Sequence, residues 1–176
     1  GAHRPLSGMI HPILKLGDAR LQSPAEPVKS VSPETDRLID DMIATMYAAP
    51  GIGLAAPQMG VPLRTFVIDL SMGRDPAALI TMINPEWVER EGMQLEEEGC
   101  LSLPGFTATV PRPARAVVRG WDRRGETRTI EGTELLARAL QHEMDHLDGR
   151  LFVDRLRGIK RDLILRKARK LARAGK

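Results

Sequence analysis

The stretch QHEMDHLDG, residues 141–149, decides how this chain is read. It contains an H-E-x-x-H pattern, and on a helix His142 and His146, four residues apart, project from one face. Glu143 is rotated about 100° from His142. Its carboxylate can then reach a metal-bound water rather than the metal itself. Leu135 and Ala139 continue the stripe, so the imidazoles are expected on a mostly apolar, inward side. Thr133 is expected to cap this helix at its start and Gly149 to end it. The bare pattern also arises by chance. Two imidazoles do not complete a metal centre, so a third protein ligand has to come from elsewhere.

Zinc proteases with this pattern supply that ligand in known places. One group extends it to H-E-x-x-H-x-x-G-x-x-H. Here Gly149 matches, but the final position is Phe152, which cannot bind a metal. Another group uses a later glutamate, and none follows Glu143. Asp148 is too close and Asp162 lies in a basic stretch, leaving Asp154 and the N-terminal His3 and His11 as weak alternatives. The single cysteine, Cys100 in EEEGCLSLPG (96–105), is the strongest candidate. A lone cysteine is more often a small buried hydrophobe. Its charged, glycine-bearing surroundings argue instead for an approachable thiol. A Cys-His-His set leaves the fourth position of a tetrahedral ion for water, as a catalytic site requires.

The bulk properties bound the fold. The chain has 176 residues, enough for one domain with a proper core. Hydrophobic residues at 42% and charged residues at 28% are ordinary for a globular protein. No apolar run approaches the roughly 18 residues of a membrane span, and no signal-peptide pattern is present. One cysteine excludes an internal disulfide framework and suits a reducing compartment. Residues 1–8, GAHRPLSG, read as a cloning remnant before Met9, leaving 9–176 as a single domain. A cleaved targeting segment further upstream is compatible with this.

Charge is uneven. Net charge is +3, yet residues 155–176 hold ten Lys/Arg against Asp162 alone. The remainder is acidic, at about −6. Such asymmetry suggests a polyanionic partner for the tail. The plainer reading is a solvated helix, about 155–173, whose Leu156, Ile159 and Leu163 dock on the body.

Local patterns predict an α+β domain. Ser32-Pro33 should cap a helix carrying Leu38, Ile39, Met42, Ile43 and Met46, stopped at Pro50-Gly51. RTFVIDL (64–70) and ALITMIN (78–84) read as strands, bounded by Gly60 and by Asn84-Pro85. Val117-Val118 and Thr127–Ile130 should form a hairpin around Arg123-Arg124-Gly125. The last helix should begin after Phe152. Glu96-Glu97-Glu98 reads mostly as a solvated face, although Glu98, beside Gly99 and Cys100, could orient neighbours.

Three segments taken together, GIGLAAPQ (51–58), EGCLS (98–102) and QHEMDHLDG (141–149), closely resemble the three motifs of peptide deformylases, in the same order. The resemblance runs from about Met9 to the end. It implies a single domain of antiparallel β-sheets around a central motif-bearing helix, with a C-terminal helix. It implies a metal-dependent hydrolase that removes the N-formyl group from the N-terminal formyl-methionine of nascent polypeptides, releasing formate. Cys100, His142 and His146 would bind the divalent metal, natively Fe2+, with Zn2+, Ni2+ or Co2+ able to replace it. Attack would come from a metal-bound water, with Glu143 as general acid and base. The Gln58 amide and the Leu101 N–H would stabilise the oxyanion, and Ile52, Gly53 and Gly99 would hold the substrate main chain. The resemblance further implies a cytoplasmic bacterial monomer, or an enzyme of an organellar stroma or matrix, with no membrane partner. Ribosome association through the basic C-terminal helix is expected. Two positions depart from what family members often carry: Arg138 replaces a small or aliphatic residue, and Thr107 replaces an arginine. Two competing readings are a zinc endopeptidase and a non-enzymatic ribosome- or RNA-binding protein with a structural metal. Glu143 and Gln58 argue against the latter, because a structural site needs neither.

Overall fold

Helix α1 (Pro33–Ala48) starts where Ser32 and Pro33 place it: the Ser32 hydroxyl accepts the Thr35 N–H at 3.4 Å, and proline occupies the first turn. The computed structural model describes residues 8–174, so residues 1–7 of the expected cloning remnant lie outside the described part. After α1 come β1 (Gly53–Ala55), a 3₁₀ turn (Ala56–Met59), β2 (Thr65–Ile68) and β3 (Ile80–Glu91). β4 (Gln94–Cys100), β5 (Leu103–Arg112), β6 (Arg115–Trp121) and β7 (Thr127–Thr133) follow. Helix α2 (Glu134–Leu147) carries the motif, and α3 (Ile159–Ala174) ends the described chain.

Among the described residues, β1, β2, β3, β6 and β7 form one antiparallel sheet in that order, and β4 pairs with β5 as a separate hairpin. Alternation along β2 explains why it is buried throughout. Phe66 and Ile68 pack with Leu140, Met144 and Leu147 of α2, while Val67 joins Ile39, Met42 and Met46 of α1. The sheet thus sits between the two helices. Each such side chain contributes about 1.5–3 kcal/mol on burial, which holds α2 firmly against the sheet. A third cluster, with Leu103, Ala108, Val110, Leu151 and Phe152, joins the hairpin to the segment after α2. The expected α+β fold with a central motif-bearing helix is the one observed.

Four local expectations need correction. Strand β3 does not stop at Asn84-Pro85. Asn84 takes a left-handed φ of 51°, and the register shifts between Ile83 and Glu86. This bulge accommodates the proline, while the Asn84 side chain bonds the Val28 N–H and C=O, each at 2.8 Å. Thr133 occupies the N-cap of α2, but its hydroxyl makes no capping bond. Helix α3 begins at Ile159 rather than just after Phe152: Phe152–Arg155 form a 3₁₀ turn, and Gly158, at φ 70°, breaks the chain before α3. Its docking face is also different. Leu156 is buried, but Ile159 and Leu163 are exposed, and Ile164, Leu165 and Ala168 face the body instead. Gly149 ends α2 at φ 78° as expected, where a Cβ would meet the Gln22 backbone at 2.8 Å.

Candidate metal centre

Helix α2 is buried from Ala137 to Leu147 on nearly every side, so its polar residues need partners or a function. His142 and His146 point toward the end of β4, where Cys100 stands at the hairpin turn. Cys100 Sγ lies 3.3 Å from His146 Nε2, and His146 Nε2 lies 3.2 Å from His142 Nε2. All three donor atoms fall within 4.8 Å of one another. With bonds of about 2.0–2.3 Å, adjacent ligands of a tetrahedral ion sit about 3.3–3.6 Å apart. The two sides that meet at His146 match that spacing, so one thiolate and two imidazoles can approach a single small dication, with a face open to the cavity.

The set is held by a buried charge chain. His142 Nδ1 donates to Glu98 Oε2 at 2.7 Å; a carboxylate can only accept, which leaves the Nε2 lone pair available to a metal. Glu98 is 7% exposed and also accepts from Arg112 Nη2 at 2.6 Å and from Arg138 Nη1 at 2.7 Å. Arg112 Nη1 continues to Asp145 at 2.9 Å, and Arg155 reaches Asp145 as well. Glu98 is therefore an ion-paired group and not the solvated residue that its acidic neighbours suggest. Burial raises its pKa, but the Arg112 and His142 contacts outweigh this and hold it well below the usual carboxylate range. Phe152, at the position where one protease class has a ligand, stacks near His142 at 6.5 Å between ring centroids.

Electrostatics differ sharply between the two imidazoles. Burial opposes charge on His142, but the Cys100 sulfur, Glu98 and Glu143 outweigh it and raise its pKa well above normal. Burial and the neighbouring His142 push His146 well below normal. Burial also pushes Glu143 up to about 7, against the pull of His142. Glu143 Oε1 and His146 Nδ1 are buried with no hydrogen-bond partner among the described residues. Such atoms cost stability, about 1–3 kcal/mol each, and mark a site built for something else.

A cavity of about 550 Å³ opens beside the centre, between the 51–53 segment, the β4–β5 hairpin and α2. Of the residues singled out in the sequence, Ile52, Gly53, Gln58, Gly99, Cys100, Leu101, His142 and Glu143 all line it. His146 sits behind them, 1% exposed. A Cβ at Gly53 would lie 2.5 Å from Glu143 Oε2, so the glycine gives that carboxylate its place. Gly51 likewise makes room for the Leu101 side chain. Gln58 Oε1 accepts the Ala55 N–H at 3.0 Å, which turns Nε2 toward Ser102 Oγ at 3.0 Å and Cys100 Sγ at 3.8 Å. β1 is an edge strand, so it can take an added strand. Arg138 also lines the cavity, but it is 4% exposed and its guanidinium is spent on Glu98 and the Val110 carbonyl. Sequence reading missed Arg112, Asp145 and Ser102. Asp145 lies inside the motif itself, and Arg112 could have been sought as the compensation a buried Glu98 requires.

Residues 10–162 match the model of the polypeptide deformylase family. A peptide deformylase of Acidobacterium capsulatum is 53% identical over 95% of this chain and 98% of its own. One of Thermodesulfovibrio yellowstonii is 51% identical over 88% of this chain and 94% of its own. Among solved structures, a peptide deformylase from Legionella pneumophila superposes with a TM-score of 0.89 at 46% identity, covering 95% of this chain and 98% of that one. One from Synechococcus elongatus, in complex with actinonin, gives 0.85 at 38% identity over 99% of this chain and 95% of that one.

Proposed function

This chain belongs to the polypeptide deformylase family, and we propose that it hydrolyses the formyl group from formyl-methionine at the start of nascent polypeptides, releasing formate, with a ferrous ion held by Cys100, His142 and His146. The observation that carries this reading is the sulfur–nitrogen–nitrogen triangle, within reach of one small cation and open to the cavity that Glu143 also lines. When bound there, a first-row dication acidifies a water and polarises a carbonyl oxygen. N/S ligation suits iron, zinc, nickel and cobalt alike.

The remaining steps belong to the protein. Glu143, with an unpartnered buried oxygen and a raised pKa, takes a proton from the attacking water and returns it to the departing amine. The Gln58 amide, held by Ala55 and Ser102, and the Leu101 N–H donate to the oxygen that gains charge as the formyl carbon becomes tetrahedral. Ile52 and Gly53, on the edge of the sheet, and Gly99, across the cavity, pair with the substrate main chain. Glu98 positions His142 through its Nδ1.

No helix of the described residues is long and apolar enough to cross a membrane. Helix α3 turns Lys160, Arg166, Lys167, Arg169 and Lys170 to solvent. This basic face supports binding to ribosomal RNA near the exit of new chains, by a cytoplasmic monomer. The test of the central reading is formate release from formyl-Met-Ala amide by anaerobically prepared protein. Turnover that stops with chelator and returns with ferrous ion supports it; cleavage of unformylated peptides without formate release overturns it.

A further inference from the structure

Residues 8–15 form neither helix nor strand, yet this segment is bonded to both turns that carry the oxyanion donors. The Leu14 N–H donates to the Gln58 carbonyl at 2.7 Å, and the Leu16 N–H donates to the Ser102 carbonyl at 2.8 Å. Between them Lys15, itself exposed, donates through Nζ to the Leu101 carbonyl at 3.4 Å. The segment is well anchored. Leu16 is buried with Leu103 and Phe152, Ile13 packs on the cluster around α1, and the His11 N–H donates to Thr45 Oγ1 at 3.0 Å. A second cavity, of about 360 Å³, lies on this side of the β4–β5 turn, and Ile13, Lys15, Cys100 and Leu101 all line it. Cys100 and Leu101 also line the cavity beside the metal centre. Their backbone therefore stands between two cavities, with Lys15 bracing it from behind.

An oxyanion donor is effective only when it is held, before reaction, where negative charge develops. The Leu101 N–H and C=O belong to one residue, so a group that fixes the carbonyl also restrains the rotation that would turn the N–H away. We propose that Lys15 is a positioning residue for the oxyanion hole, acting through the Leu101 backbone. This inference rests on the deformylase reading above. A single hydrogen bond contributes modestly on balance, so loss of the Lys15 contact should lower kcat by roughly three- to tenfold. That is well short of the roughly 10²–10³ that removal of a donor itself costs.

The experiment measures formate release from the neutral formyl-Met-Ala amide by the metal-loaded full chain. Lys15→Met keeps the aliphatic stem and removes the donor; kcat should fall while KM, metal content and melting temperature stay at wild-type values. Lys15→Arg restores a donor and should recover most of kcat. Lys29→Met removes the same charge from another exposed position and should leave kcat unchanged. Wild-type kcat in Lys15→Met, an equal loss in Lys29→Met, or a loss that Lys15→Arg does not recover overturns the proposal. Amide exchange in the zinc-loaded, nitrogen-15-labelled chain gives a second readout. The Leu101 N–H should exchange faster in Lys15→Met than in the wild type or Lys15→Arg, and equal rates overturn the proposal. If no formyl peptide releases formate, the deformylase reading fails, while these exchange rates still decide whether Lys15 holds the Leu101 backbone.

Discussion

Glu98 and His142 are joined by a 2.7 Å bond between Oε2 and Nδ1, and the same carboxylate is gripped by two arginines, Arg112 and Arg138. One buried anion thus fixes a candidate metal ligand and neutralises the strand-to-helix contact. Glu98→Gln should leave both guanidinium groups undercompensated. Stability should fall by about 3–5 kcal/mol, and metal affinity by roughly 10–100-fold. Urea titration and chelator competition check the two effects separately. Because the folded carboxyl lies below its ordinary 4.5, its stabilisation is fully present above that value. It is lost as pH falls from there toward the depressed folded value.

Acid should release the metal through His142. In the metal-free protein its raised pKa means that the proton stabilises the fold below the ordinary 6.5, and this contribution is lost as pH rises through the folded value. A metal needs that proton removed. Affinity for zinc or nickel should therefore climb with pH, up to about tenfold per unit, and binding should release protons to a weakly buffered solution. Affinity independent of pH between 6 and 8 would contradict the His142 assignment.

Glu143→Gln should retain the metal and lose about 10²–10⁴ in kcat. With burial pushing the native group up to about 7, metal-free wild type loses stability as pH rises through that value, because a buried acid must ionise. The variant has no such cost. It should be more stable than metal-free wild type by about 1–3 kcal/mol at pH 8 and similar at pH 5. Thermal melts at the two values check this.

Gly53→Ala places a Cβ about 2.5 Å from Glu143 Oε2. The carboxylate must move, and displacement of a reacting group by about 1 Å costs roughly 10² in rate. Metal content should stay unchanged, since the three atoms nearest the new methyl all belong to Glu143 and not to Cys100, His142 or His146. Full activity in this variant would argue that Glu143 does not need its present position.

Removal of α3 should weaken ribosome association, and association of the full chain should fall steeply with salt. Ile164, Leu165 and Ala168 pack on the cluster that includes Leu103 and Phe152, so truncation also lowers the melting temperature. Replacing Lys160, Arg166 and Lys170, which are exposed, by Gln removes the charge and leaves that packing. Ribosome sedimentation of the variant at two salt concentrations distinguishes tether from core.

Much of this protein was legible because the signals are local. Ser32-Pro33, the i, i+4 histidines, Gly149 and the apolar β-branched run in RTFVIDL act within a turn or a strand, and each lies in the element expected of it. The β4–β5 hairpin was not legible. Gln94–Cys100 is rich in glutamate, which disfavours strands, and its buried Glu98 is compensated by Arg138 and His142, 40 and 44 residues further along the chain. The docking face of α3 also escaped, since its apolar residues lie on more than one side.

The sequence alone determined which atoms could bind a metal, because thiol and imidazole chemistry belongs to the residue and the i, i+4 spacing to the helix. Only the tertiary structure decided that Cys100 meets His146, 46 residues away, and that Glu98 is buried while Glu97 is not. The physical reason is compensation. A carboxylate leaves water only where opposite charge awaits it, and Arg112 and Arg138 are brought to Glu98 by the fold, not by their neighbours in the chain.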